Sequence, residues 1–164
     1  MPNVRKTWAP VGQTPILRHS YRRDKRSVIS CLTVSPRRRR IGLYFRCHPT
    51  NIDGERVVAF VRQLLRHLRG KVVLLWDGGL PHRSVFTRQA LRRCHRLSLH
   101  RFPAYAPELN PDEHIWTQTK QALANSTHED AGALQGHLSQ TLRRLQRTPR
   151  LLWSCFGASD LPWP

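Results

Sequence analysis

The sequence is short of acidic residues. Asp and Glu together number 10 against 28 Lys and Arg in 164 residues, which gives a formal net charge of +18 and an isoelectric point near 11.5. A field of this sign favours nucleic acid or another polyanion as a partner over a neutral metabolite. The competing explanation is a high-GC genome that inflates arginine content, or a surface that is merely soluble.

Long apolar runs and paired cysteines are also missing. No run approaches the roughly 18 residues of a membrane-spanning helix, and the N-terminus lacks a signal-peptide core. We therefore expect no membrane partner and a cytoplasmic, nucleoid-associated protein. The four cysteines are scattered without a CxxC pair, which argues against structural zinc and predicts reduced thiols: Cys31, Cys47, Cys94 and Cys155.

A first candidate site residue follows a short apolar run. Val72–Trp76 is apolar without alternation, the pattern of a strand buried on both faces. Asp77 ends this run, and Gly78 and Gly79 favour a turn that leaves the carboxylate uncrowded. The alternative is that Asp77-Gly78 is a turn and nothing more.

A second candidate opens a helix. Asn110, Pro111 and Glu113 read as an N-cap, a first-turn proline and an acidic third position. On its own, Glu113 is equally a reciprocal cap for Asn110. A carboxylate at the C-terminal end of a strand and one in the first turn of a helix can meet at one edge of an α/β sheet, where open sheets bind ligands. Two such carboxylates in a basic protein suggest an Mg²⁺ or Mn²⁺ site that acts on a polyanion.

The other elements follow from periodicity and capping. Strands are predicted at 27–34, 40–47 and 97–102, the first two as an antiparallel hairpin. Helices are predicted from the Asp53 cap to Gly70, over 84–94 and over 111–125. A last helix is predicted to open with Thr127 and Asp130 and to stop at Pro149. The aromatic tail that follows either packs back onto the domain or serves a partner.

Several basic residues are weaker candidates for DNA contact. Four arginines at the hairpin tip either hold phosphates without reading sequence or form a solvated loop: Arg37, Arg38, Arg39 and Arg40. Lys120 lies seven residues after Glu113 on its helix, and either contacts a phosphate beside the site or is an ordinary solvated lysine. His82 either touches the reacting phosphate or stabilises the turn after Asp77.

Two blocks carry a family resemblance. D-G-G-L-P-H-R-S at 77–84 and F-P-A-Y-A-P-E-L-N-P-D-E-H-I-W at 102–116 resemble the catalytic core of mariner-like and bacterial insertion-sequence DDE transposases. The separation of 36 positions between Asp77 and Glu113 is similar to that family's spacing. The opening R-K-T-W-A-P-V-G-Q-T-P at 5–15 resembles the segment that follows the family's first catalytic Asp.

The resemblance implies a fold and a metal-dependent chemistry, and it also implies that one strand and one acid are missing from them. It implies an α/β, RNase H-like mixed sheet flanked by helices, with two Mg²⁺ or Mn²⁺ ions held by three acids. Asp77 and Glu113 would be the second and third acids. No D-E pair precedes Trp8, so the first acid and its strand are expected to be missing, which leaves the sheet incomplete at its N-terminal strand.

These expectations define two hypotheses. In the first, residues 1–150 are a partial DDE catalytic domain and residues 151–164 are a tail. The domain cleaves transposon-end DNA and transfers the cut strand to target DNA, but only with an upstream polypeptide that supplies the first acid and a helix-turn-helix domain. A homodimer is a further possible partner state. This chain alone would then be inactive. In the second, the chain is a non-catalytic, basic DNA-binding remnant. A ribonuclease of RNase H type fits the sheet but not the N-P-D-E-H-I-W block.

Overall fold

Two layers of helices enclose two small sheets in the computed structural model, which describes residues 6, 8–13, 26–37, 39–126, 128 and 130–162. Strands β1 (Ser27–Val34) and β2 (Ile41–His48) are followed by helix α1 (Gly54–His67), strand β3 (Val72–Trp76), and helices α2 (Leu80–Arg83) and α3 (Val85–Arg92). Strand β4 (Leu97–Arg101) then leads through a 3₁₀ turn (Pro107–Leu109) to the last three helices, α4 (Pro111–Ala122), α5 (Ala131–Gln146) and α6 (Pro149–Gly157).

The strands form two separate pairs within the described residues. β1 and β2 pair antiparallel with Ser27 opposite His48, which confirms the predicted hairpin. β3 and β4 pair parallel with Val72 opposite Leu97. Both strand orientations of the predicted mixed sheet are thus present, but β1 and β3 are not hydrogen-bonded to each other.

One hydrophobic cluster joins the hairpin to the C-terminal helices. Ile115 of α4, Leu142 of α5 and Leu152 of α6 are fully buried against Leu43 of β2. Because its apolar residues fill this cluster, the tail packs back onto the domain, the first of the two predicted alternatives. α6 crosses residue 150, where the sequence suggested a domain boundary; that division stays a prediction.

A second cluster joins β3 and β4 to α1 and α3. Val57, Val61 and Leu91 are buried against Leu74, Trp76, Leu97 and Leu99, the alternate residues that face one side of the parallel pair. Ile29 of β1 packs on the same cluster, so the hairpin and the parallel pair share one hydrophobic core although they share no hydrogen-bonded edge.

The helix starts follow the predicted capping residues, whereas the ends do not: α1 ends at His67, before the predicted Gly70. Asp53 caps α1 by accepting from the Arg56 N–H at 2.9 Å, which confirms its predicted role. α4 ends at Ala122 rather than near Asn125, which has a left-handed φ of 58°. α2 was not predicted. It spans four residues, with Pro81 in its first turn. The prediction that Pro149 stops the preceding helix is wrong. α5 already ends at Gln146, and Pro149 is the first residue of α6.

Two further expectations concern cysteine and the membrane. The cysteines are free thiols, and burial raises the pKa of Cys31 to about 12, so this thiol is unreactive at neutral pH. Among the described residues, no helix combines the length and the apolar character needed to cross a bilayer.

Candidate active site

Asp77 is held at the C-terminal end of β3 by the glycines that follow it. The Gly79 N–H donates to Asp77 Oδ1 at 2.9 Å. Gly78 is buried with a left-handed φ of 72°, and a Cβ at this position would lie 2.7 Å from Arg101 Nε. Glycine is therefore favoured here by backbone conformation, and a larger residue would also displace the Arg101 side chain.

His82 lies against Asp77 and lowers its pKa. Its Nδ1 lies 2.9 Å from Asp77 Oδ1, although the N–H direction is poor for a hydrogen bond, and its ring stacks on Trp76 with centroids 4.7 Å apart. This contact with His82, together with the Gly79 N–H, outweighs partial burial and lowers the pKa of Asp77 to about 2. The carboxylate is ionised at neutral pH and 62% exposed, which suits a cation ligand.

Glu113 is presented by the rigid connection between β4 and α4. The 3₁₀ turn at Pro107–Leu109 ends on Asn110, whose side chain accepts from the Asp112 N–H at 3.1 Å. The Asn110 N–H donates to the Pro107 carbonyl at 3.0 Å. Glu113 therefore does not act as the reciprocal cap that was its alternative interpretation, and its side chain is exposed.

The two carboxylates line one cavity. Its volume is about 180 Å³, and Asp77 and Glu113 share its wall with residues of the β4–α4 connection: Phe102, Pro103, Tyr105, Ala106, Pro107 and Asn110. The acids that end β3 and open α4 thus meet at one edge of the molecule. The described residues include no group of three or more His, Cys, Asp or Glu able to hold a metal ion.

This donor set fits a hard divalent cation in part. Two carboxylates on an open cavity are the oxygen ligands that Mg²⁺ and Mn²⁺ take, and such ions complete their shells with water or phosphate oxygens. Two acids are fewer than a pair of ions usually requires, so the described residues supply part of a site.

Among the weaker candidates that the structure describes, Lys120, Arg37, Arg39 and Arg40 do not line this cavity. Lys120 lines a different, apolar cavity of about 400 Å³ between β1, α4 and α5. Arg37, Arg39 and Arg40 are exposed in the hairpin turn, where Ser35 Oγ accepts from the N–H groups of Arg39 and Arg40. Arg38 lies outside the described residues, as do Arg5, Thr7, Thr14 and Pro15 of the opening segment. His82 makes the contacts expected of a residue that stabilises the turn after Asp77. Its contact with the reacting phosphate stays a prediction.

A third acid near the site was not singled out from the sequence. Asp112 Oδ2 accepts from Ser30 Oγ at 2.5 Å and from Trp116 Nε1 at 3.1 Å. Burial raises its pKa to about 6 despite these hydrogen bonds, and the negative charges of Glu113 and Asp77 contribute to the rise. The sequence does contain one signal for this contact: Asp112 and Trp116 have the i, i+4 spacing that places two side chains side by side on a helix.

Comparison with known proteins identifies the family. The family described as DDE superfamily endonuclease matches residues 1–135. The chain belongs to this superfamily. Comparison with curated proteins finds no sequence match.

Solved structures of the Mos1 mariner transposase share the fold of this DDE superfamily member. The Mos1 paired-end complex with Mn is 17% identical with a TM-score of 0.58, over 99% of this chain and 53% of the other. The Mos1 catalytic domain with raltegravir and Mg is 16% identical with a TM-score of 0.54, over 85% and 78%. The predicted RNase H-like α/β fold is confirmed, and the chain spans about half the length of the paired-end relative.

Proposed function

We propose that this DDE superfamily member is part of the catalytic domain of a transposase that cleaves DNA and transfers the cut strand with divalent metal ions. The observation that carries the proposal is that Asp77 and Glu113 line one open cavity. Two similar structures, a Mos1 complex with Mn and a Mos1 catalytic domain with Mg, support the choice of metal. The net charge of +18 supports DNA as the substrate.

The residues of this chain prepare the cavity for such a metal. The approach of His82 lowers the pKa of Asp77 to about 2, and the acid, ionised at neutral pH, can bind a cation without first losing a proton. Asn110 and Pro111 fix the first turn of α4 and leave Glu113 directed outward. When bound, Mg²⁺ or Mn²⁺ would activate the attacking hydroxyl and stabilise the charge that develops on the phosphate.

The site and the sheet both call for a further segment of polypeptide. The described residues hold two carboxylates at the cavity, and β1 and β3 each have an edge without a partner strand, although Ile29 places them on one core. A strand between β1 and β3 that ends in an Asp would complete the sheet and add the third acid. We therefore propose that an upstream polypeptide supplies it and that this chain alone is inactive; a homodimer stays a possibility to be tested.

The test is a strand-cleavage assay with supercoiled plasmid carrying transposon ends. We expect no Mg²⁺-dependent nicking by this chain alone and nicking when it is combined with a polypeptide that carries the upstream strand and its Asp. Asp77→Asn and Glu113→Gln should each abolish the combined activity. Robust nicking by the chain alone would refute the requirement for a further acid.

The second candidate function is a non-catalytic DNA-binding remnant, favoured by the high positive charge and by the two-acid site. It predicts DNA binding that is unaffected by Asp77→Asn or Glu113→Gln, and no nicking in combination with any upstream segment. The combined assay therefore separates the two functions.

A further inference from the structure

Asp112 ties the helix that carries Glu113 to the first strand of the hairpin. Its Oδ2 accepts from Ser30 of β1, 82 positions earlier in the chain, and from Trp116 one turn later in α4. Its own N–H donates to the Asn110 side chain at 3.1 Å. The first turn of α4 is thus fixed to a strand, to its cap and to its second turn through one residue.

The position of Asp112 determines where its neighbour points. Successive residues of a helix are about 100° apart, so a side chain held inward at Asp112 directs Glu113 to an adjacent, outward face. Ile115 is fully buried in the hairpin cluster and fixes the inward side of the same helix. Rotation of α4 about its axis would move Glu113 away from Asp77, and the Asp112–Ser30 hydrogen bond opposes that rotation.

A purely structural role explains this arrangement less well. Burying a carboxylate is costly when an oxygen has no partner, and none of the described residues donates to Asp112 Oδ1, which is removed from solvent. An apolar residue would pack α4 on β1 without that cost. What the carboxylate adds is a directional contact with two donors, one on each element.

We propose that Asp112 is a positioning residue for the metal site: through Ser30 and Trp116 it sets the rotation of α4 that brings Glu113 to the cavity shared with Asp77. This inference rests on the proposed function, because it assigns Asp112 a part in the same metal site. Asp112 itself does not contact the metal.

The test follows the Asp77 and Glu113 carboxylates by NMR in the full-length, ¹³C-labelled chain during titration with Mn²⁺, which broadens nearby signals. In the wild type we expect both signals to broaden together, while the exposed Glu55 on α1 serves as an internal control and stays sharp. In Asp112→Ala, the Mn²⁺ concentration needed to broaden the Glu113 signal should rise about tenfold or more, because loss of a residue that orients a metal ligand lowers metal affinity by that factor. Asp112→Asn keeps an oxygen acceptor in place and should restore the wild-type response.

The outcomes separate this inference from the proposed function. Broadening at neither carboxylate in the wild type overturns the metal site, and with it any role for Asp112. Joint broadening in the wild type that Asp112→Ala leaves unchanged overturns the positioning role alone. If circular dichroism shows that Asp112→Ala is unfolded, Ser30→Ala provides the test, because it removes one donor and retains the carboxylate. An unchanged Glu113 response in a folded Ser30→Ala variant overturns the inference.

Discussion

Three acids near one edge of the molecule have different environments. Contact with His82 lowers the pKa of Asp77 to about 2, burial raises that of Asp112 to about 6, and Glu113 is exposed at the cavity. The exposed carboxylates of Asp77 and Glu113 suit a cation, whereas the half-buried carboxyl of Asp112 suits a contact within the fold.

The first residue-scale prediction concerns His82. Because its approach is the main cause of the low pKa of Asp77, His82→Ala should raise that pKa from about 2 toward the ordinary value of 3.8. His82→Phe is the matched variant, since it keeps a ring to stack on Trp76 and removes the nitrogen. Carboxylate NMR titration measures both variants. A pKa that rises in His82→Ala but not in His82→Phe would assign the effect to the ring rather than to Nδ1.

The second residue-scale prediction concerns Asp112 and pH. Its folded pKa, about 6, lies above the ordinary 3.8, so the folded chain binds more protons than the unfolded chain between these values. The free energy of unfolding should therefore fall as pH rises through this window, by up to about 3 kcal/mol from this residue. Asp112→Asn removes the titration.

Urea unfolding at a series of pH values gives the difference in the free energy of unfolding between the wild type and Asp112→Asn. We expect the variant to gain relative stability from pH 4 to pH 7. Parallel curves over this range would contradict the raised pKa of Asp112.

At the scale of elements, the sequence predicted those whose signals are local. The apolar run at Val72–Trp76, the Asp53 cap and the Asn110-Pro111 helix start each depend on neighbouring residues, and a strand and two helices begin there as predicted. The prediction that the strand is buried on both faces is wrong: Val73 is 63% exposed, because α1 and α3 pack only on the face that carries Leu74 and Trp76. α6 was read as a tail because Pro149 was interpreted as the stop of α5, whereas it opens α6, and the burial of Leu152 comes from distant partners. The role of Asp112 was not predictable because Ser30 is 82 positions away.

The turn after β3 provides an element-scale prediction. Gly78→Ala should destabilise the chain by about 1–2 kcal/mol, because φ at this position is 72° and the new Cβ would meet Arg101. Gly136→Ala is the matched control: this glycine is exposed within α5 with nothing near its added Cβ, so the substitution should stabilise by about 0.5–1 kcal/mol. Thermal or urea unfolding measures both. Equal effects of the two substitutions would contradict the account of the turn.

At the scale of the whole molecule, positive charge is the dominant property. With 28 Lys and Arg against 10 acids, most cations have no acid to pair with. Some arginines serve the fold: Arg96 donates to the carbonyls of Gly70 at 2.9 Å and Leu65 at 3.2 Å, at the end of α1. Arg37, Arg39 and Arg40 at the hairpin tip are exposed and stay candidates for phosphate contact.

DNA affinity tests that surface. Replacing Arg37, Arg39 and Arg40 by Gln should weaken non-specific DNA binding and reduce the slope of log K against log salt by roughly 2–3, since each phosphate contact contributes about 0.9. Replacing Arg143, Arg144 and Arg147 removes the same charge from the end of α5. Fluorescence anisotropy over a range of salt gives both slopes. Equal losses in the two variants would mean that net charge, not the hairpin tip, determines binding.

The central claim is that Asp77 and Glu113 bind one divalent cation between them. Crystals of the chain soaked in Mn²⁺ and measured for anomalous scattering test it most directly. The account predicts a peak within coordination distance of a carboxylate oxygen of each residue, lost in both Asp77→Asn and Glu113→Gln. A peak on one acid alone, or no peak between them at saturating Mn²⁺, would contradict it.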